Sequence, residues 1–208
     1  MSRNDWYRHT AWDSEIEAAF EAKLKRARGK AQYLRIQALH LTQSHPEVAL
    51  RLLDRYFELG SDLVGCSAAH ESRAEAYLAL GRIDEAIACY EAALEREAAF
   101  PNAKSNVSVE YPFLIATHNL RQHFARALQI LEANRDDVAF PVNRFRWHAA
   151  RALILTELGS AHDARSSAKL ALEAAAEQKS EFRYHQSLGL VSDREAGVIR
   201  LLRKYCDA

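Results

Sequence analysis

The chain is 208 residues long, with 49% hydrophobic and 27% charged residues, a balance that sustains a continuous core and argues against disorder. Only 7 Gly and 4 Pro leave too few turn formers for an all-β fold, so the expectation is all-α. Lys plus Arg and Asp plus Glu number 28 each, which removes the basic excess expected of a dedicated nucleic-acid binder.

Residues 1–13 read as an irregular lead-in whose aromatic residues, Trp6, Tyr7 and Trp12, pin it to the first helix. That helix is expected from Ser14, where Ser14-Glu15-Ile16-Glu17 reads as a capping box. Phe20, Leu24, Ala27, Ala31, Leu34, Ala38 and Leu41 follow at alternating spacings of a heptad-like stripe. Gly29, between Arg28 and Lys30, is expected to divide the stripe into two helices. Ser44-His45-Pro46-Glu47 reads as a second capping box, and the helix it opens ends at Gly60.

From Ala68 to Pro101 the pattern is sharper. Ala74, Tyr77 and Leu80 mark one helical stripe; Ala86, Tyr90, Ala93 and Glu97 mark another, with Gly81 in the turn between them. The small residues let two antiparallel helices approach closely while the tyrosines fill the space between them. This stretch resembles a tetratricopeptide repeat, a helix–turn–helix of about 34 residues with small-x-x-Tyr, then Ala-x-x-x-aromatic, then a closing Ala. His70 stands where that pattern has Trp, and the closing Pro comes late, at Pro101.

The pattern recurs. Ala152, Leu155, Gly159, Ala164, Ala168 and Ala171 occupy the positions of Ala74, Tyr77, Gly81, Ala86, Tyr90 and Ala93. A looser copy aligns Phe124, Ala127 and Leu131 with Ile83, Ala86 and Tyr90; its first helix is expected to begin at Pro112. A degenerate first copy aligns on Ala49. Ala99-Phe100-Pro101 returns as Ala139-Phe140-Pro141, each Phe-Pro expected to mark a helix ending. After a break near Lys179–Ser180, FRYHQSLGLV is ambiguous, and Ser192-Asp193-Arg194-Glu195 reads as a capping box opening a last amphipathic helix. The fold expected is an all-α, right-handed α-solenoid of antiparallel helix pairs. Residues 1–29 hold the lead-in and N-terminal helix, 30–178 about four pairs, and 179–208 a capping helix over the last apolar face.

Chemistry is sparse. Nine histidines show no His-Glu-x-x-His or similar ligand spacing, and Cys66, Cys89 and Cys206 form no Cys-x-x-Cys. His40 and His118 fall at the repeat position of Tyr77 and are expected to pack between helices; His70 and His148 share the position of the missing Trp. No phosphate loop, nucleophile elbow or dinucleotide fingerprint appears, so neither an enzyme nor a cofactor or metal is expected. The N-terminus lacks the apolar core of a secretory signal and no run suits a membrane span, so a cytoplasmic protein is expected. The Ala and Arg content suggests a GC-rich bacterial source.

The resemblance implies a concave groove lined by the first helix of each pair, taking a partner protein or peptide. Carried over, the lining is Leu34, Ala38, Leu41, Glu71, Glu75, Leu78, Phe113, Ala116, Asn119, Arg146, Ala149, Leu153 and Thr156. Asn102–Tyr111 reads as an insert that could fill part of it. The family's Lys/Asn/Arg carboxylate clamp finds Leu34, Ala38, Ser72, Val109 and Phe113 at its positions, so that activity is not implied. The mixed apolar and acidic lining suits a partly apolar segment with some basic character. Two alternatives stand beside the scaffold reading. One is a nucleic-acid-binding regulator using the basic patch Lys23, Arg26 and Lys30; the other is a self-associating repeat protein.

Overall fold

A computed structural model describes residues 5–60, 64–135, 139–180 and 184–207. Residues 1–4 of the lead-in and Phe182-Arg183 of the ambiguous stretch lie outside the described residues. Every regular element among the described residues is helical, and neighbouring helices pair as in a tetratricopeptide-like α-solenoid. The chain divides into two compact units, 1–107 and 108–208.

The first unit holds α1 (Ser14–Arg26), α2 (Lys30–Leu41), α3 (Pro46–Leu59), α4 (Cys66–Ala79) and α5 (Ile83–Ala99). The pairs are α2 with α3 and α4 with α5, and α4 packs on both helices of the pair before it. Gly29 does separate two helices, but as the residue preceding α2 at φ −91°, not as a left-handed stop. The cap of α1 is Asp13, one residue before the expected Ser14: its carboxylate accepts from the N–H groups of Glu15 and Ile16 at 2.9 and 2.8 Å. Ser44 caps nothing either. Its hydroxyl donates to the Thr10 carbonyl at 2.8 Å, and Pro46 opens α3 because its missing N–H costs nothing there.

Trp6, Tyr7 and Trp12 pack against Phe20 and Tyr33, ring centroids 4.8–5.6 Å apart. The same lead-in is clamped by the wholly buried Gln37, which accepts from the His9 N–H at 3.0 Å and donates to the His9 carbonyl at 2.8 Å. Between α4 and α5 the close approach expected of the small residues is present: Ala69, Ala74, Ala76, Ala86 and Ala93 are fully buried and Tyr90 almost so. Cys89 is buried among them, as expected of a small apolar side chain, and burial pushes its thiol pKa up.

The turn after α4 is a Schellman motif around Gly81 (φ 72°), with Gly81 N–H donating to the Leu78 carbonyl and Arg82 N–H to that of Tyr77. The identical bonds recur around Gly159 (φ 79°) and around Asn119 (φ 51°). Asn119 is therefore the third pair's equivalent of Gly81. That fixes a register the alanine spacing misread, because a 3-10 turn, Arg121–His123, lengthens the connection. The counterpart of Tyr77 becomes Ile115, fully buried, whereas His118 is exposed and does not pack between helices.

The second unit holds α6 (Val107–Thr117), α7 (Phe124–Ala133), α8 (Pro141–Glu157), α9 (Ala161–Ala176) and α10 (Ala196–Asp207). The third first-helix starts at Val107, not at Pro112, which lies inside it; five residues of the expected insert are thus helix. Val107, Val109 and Tyr111 are buried, and this burial holds the helix against the bond Pro112 cannot make. Phe100-Pro101 follows the end of α5 as expected, but Phe140-Pro141 opens α8, with Pro at the first position. The capping box at Ser192 forms as read: the Ser192 hydroxyl accepts from the Arg194 N–H, and the Glu195 carboxylate accepts from the Ser192 N–H at 3.2 Å. It leads into α10, whose Leu202 closes a core with Phe145, Ala149, Ala152, Ala168 and Ala171. Since α10 packs on both α8 and α9, it caps the last pair much as α4 covers α2 and α3.

Candidate partner-binding surface

In the first unit the first-helix face is carried by α2 and α4. Leu34, Ala38 and Leu41 are turned into the core and are at most 2% exposed. Glu71 is buried, its carboxylate accepting from the Asn106 N–H at 3.2 Å. Glu75 accepts from the Thr42 hydroxyl at 3.1 Å, which ties α4 to the end of α2. Leu78 is half-buried. The acidic side chains that the sequence offers to a partner therefore hold the fold together.

Where the N-terminal ends of α2 and α4 meet, a cleft of about 720 Å³ opens on this face. Arg28, Lys30, Arg35 and Lys104 line it, with Leu59 and Val64 at its edge. Arg35 and Lys104 carry no local pattern that marks them as functional; they converge only because separate segments fold together. Lys23, Arg26 and Lys30 do not share one helix, because α1 ends at Arg26 and α2 begins at Lys30. Lys23 instead places its ammonium 6.0 Å from the Trp6 ring.

In the second unit Arg146 sits between two carboxylates, pairing with Glu110 of α6 and, at 2.5 Å, with Glu195 ahead of α10. Burial, partly offset by Arg146, lifts the Glu110 carboxyl above its ordinary range. Glu195 is also penalised by burial, but its hydrogen bonds with Arg146 and Ser192 outweigh that and hold it below the ordinary range. Ala149 and Leu153 are buried, and Phe113 meets the Phe145 ring edge-on at 6.4 Å. Ala116, Asn119 and Leu153 border a cavity of about 230 Å³ walled on the other side by Val198, Leu201 and Tyr205 of α10. Thr156 lines a neighbouring one of about 250 Å³, again with Tyr205. Asn119 itself lies in the turn beyond α6, and by the corrected register the residues matching Glu71, Glu75 and Leu78 are Val109, Phe113 and Ala116. At this end of the unit α10 borders the first-helix positions Ala116 and Leu153 across the first of these cavities.

His70 lies 4.5 Å from the Phe57 ring, and burial together with Arg73 and Arg96 lowers its pKa to about 4. His148, 4.8 Å from the Trp147 ring, is lowered to about 4 by burial and by Arg151, Arg135 and Arg144. Both are neutral packing groups at ordinary pH. Burial and nearby Arg8 likewise lower the pKa of His40. Among the described residues no group of three or more His, Cys, Asp or Glu is placed to hold a metal ion, and no helix is long and apolar enough to cross a membrane.

Residues 68–100, which span α4, its Gly81 turn and α5, match the family model described as tetratricopeptide repeat. No curated protein and no solved structure matches the chain. Repeats of this family generally mediate protein–protein interaction and are typically non-catalytic. Residues 68–100 are therefore identified as one tetratricopeptide repeat within the chain.

Proposed function

We propose that this protein is a non-catalytic scaffold or adaptor that binds a partner protein or peptide on the face presented by its first helices. One observation carries the reading: in the unit containing the matched repeat an open cleft of about 720 Å³ lies where the N-terminal ends of α2 and α4 meet. The contact would centre on the N-terminal halves of α2 and α4, with the exposed part of Leu78 extending it. Among the groove positions carried over from the family, Arg146 and Ala149 serve the fold. None of Cys66, Cys89 and Cys206 forms a disulfide, which fits a reducing compartment such as the cytoplasm.

Site-specific photo-crosslinking tests this. A crosslinking residue at Gln32 or Leu78 should trap a discrete protein partner in cells, and the same probe at Arg51 of α3 or Ala88 of α5 should not. Trapping from the second-helix positions alone would move function to the opposite face. Trapping of nucleic acid instead would favour the basic-patch reading, and trapping of a second copy of this chain would favour self-association.

A further inference from the structure

We propose that α10, with the ends of α6 and α8 beside it, forms a second docking surface. It accepts an amphipathic helix of a partner protein that carries two large apolar side chains one turn apart, with carboxylates flanking them. The surface lies in the second unit and adds to the scaffold reading without depending on the cleft of the first unit.

Three observations point to it. First, α10 leaves holes beside it. The cavity of about 230 Å³ has an apolar wall made by Ala116, Leu153, Val198 and Leu201, and the cavity of about 250 Å³ opens among Gly159, Ala161 and Ala164. Tyr205 borders both and so stands between them. Along α8 the first cavity meets Leu153 and the second Thr156, so they succeed each other by about one helical turn. Each is smaller than the usual pocket for an organic ligand, about 300–1,000 Å³, which leaves room for a single large side chain. Second, Gly197 keeps the mouth of the first cavity open. A glycine inside a helix gives up stability relative to alanine, a loss normally offset by a chain segment that approaches it closely. Nothing does so here: a Cβ at Gly197 would meet no atom within 4 Å. What the missing side chain leaves is access to the cavity that Gly197 borders. One turn along the same face, Leu201 is 39% exposed and sets an apolar side chain at the rim. Third, the rim is basic. The sequence of α10 has no acidic residue between Ala196 and Cys206, and Arg200, Arg203 and Lys204 are exposed around Leu201. Among the described residues these three cations, and Arg165 at the second cavity, are in no ion pair, whereas Glu157 at the first is taken by Arg121. The negative end of the helix dipole accounts for Lys204 in the last turn of α10, but not for Arg200 or Arg165.

The charge and the holes together decide between occupants. A second copy presenting its own α10 would set Arg200, Arg203 and Lys204 against their like, which opposes pairing. Single-stranded nucleic acid would use the cations, but its bases stack on open aromatic faces. Tyr205, the only aromatic residue among the described lining residues, is half-buried between the two cavities. An amphipathic helix uses every feature of the surface. Its apolar side chains at i and i+4 fall on one face and enter successive holes, while acidic side chains beside them meet the cations.

The test uses the full-length chain and a panel of short alanine-based helical peptides, labelled for fluorescence anisotropy. Lead peptides carry Leu or Phe at i and i+4 with Glu at the flanking positions; comparison peptides replace one anchor by Ala, or each Glu by Lys. A lead peptide should bind, should lose on the order of tenfold in affinity with one anchor removed, and should weaken with Lys flanks or rising salt. Gly197→Leu should fill the mouth and abolish this binding with helicity and melting undiminished, since Leu is the better helix former and its Cβ meets no atom. Arg200→Glu/Lys204→Glu should weaken the lead peptides and strengthen the Lys-flanked ones, while Arg51→Glu in the first unit should change neither. Equal binding by Gly197→Leu, indifference to the anchors or to the flanking charge, or binding of no lead peptide would overturn the inference. Tighter binding of a single-stranded oligonucleotide than of any peptide would do the same. So would a wild-type dimer in sedimentation that Gly197→Leu abolishes, because the occupant would then be a second copy. Each of these results leaves the scaffold reading standing where crosslinks at Gln32 and Leu78 persist.

Discussion

Arg146→Met removes one cation from between two carboxylates and leaves a side chain of similar reach. The Glu195 side chain is only 3% exposed, while those of Arg146 and Glu110 are 22% and 21% exposed. Breaking a fully buried pair by deleting one partner costs about 3–5 kcal/mol, and the residual exposure here argues for the lower end, about 3 kcal/mol. For a unit of this size each kcal/mol moves the melting temperature by roughly 4–8 °C, so the variant should melt on the order of 10–20 °C lower at neutral pH. Urea denaturation followed by far-UV circular dichroism measures the free energy directly. The cost should also depend on pH with a definite sign. Without Arg146 the two carboxylates lie in a buried site with no opposing charge, so their folded pKa values rise above the unfolded ones, and the variant gains stability as pH falls and they take up protons. Wild type moves the other way through Glu195, whose folded pKa is depressed, so its stabilisation is lost as pH falls. The gap between the proteins must therefore narrow on acidification, and adding Glu110→Gln should recover part of the loss at pH 7. A cost below about 0.5 kcal/mol, or one that is constant between neutral and mildly acid pH, would refute the bridge as a structural element and return Arg146 to the partner surface.

Two further outcomes follow from buried polar groups of the fold. His70 and His148 each have a folded pKa of about 4 against the 6.5 of an ordinary imidazole. The stability they allow is complete above 6.5 and is lost as pH falls toward 4, by about 1–2 kcal/mol each once partial solvent access is discounted. His70→Phe with His148→Phe should flatten the melting temperature against pH across that window; an unchanged slope would show that other groups govern it. Gln37→Leu strands the His9 N–H and carbonyl and should cost about 1–3 kcal/mol. It should also loosen the lead-in, read as a red shift of Trp6 and Trp12 emission before global unfolding, and emission changing only with the whole unit would argue against a local clamp.

The sequence determined what repeats locally. Small residues three and four positions apart, with a glycine between the helices as at Gly81 and Gly159, are enough to specify two helices that pack closely and a left-handed turn that joins them. Hence the Ala68–Pro101 hairpin, its copy around Gly159 and the Ser192 capping box could all be read from spacing. The third pair was misread because alanine spacing counts residues across a connection and cannot distinguish a longer helix from a longer turn. Asn119 doing the work of Gly81, and Arg121–His123 filling the gap, became visible only from backbone angles and hydrogen bonds. Pro112 looked like a helix start because its intrinsic cost is local, whereas the burial of Val107, Val109 and Tyr111 that outweighs it is tertiary. The same distinction governs the candidate site. The family resemblance could assign Glu71, Glu75 and Arg146 to first-helix faces, but which charges face outward depends on partners far along the chain. Asn106, Thr42, Glu110 and Glu195 neutralise or bind those three. Arg28, Lys30 and Arg35 are left at the mouth of a cleft, because folding brought no carboxylate among the described lining residues to meet them.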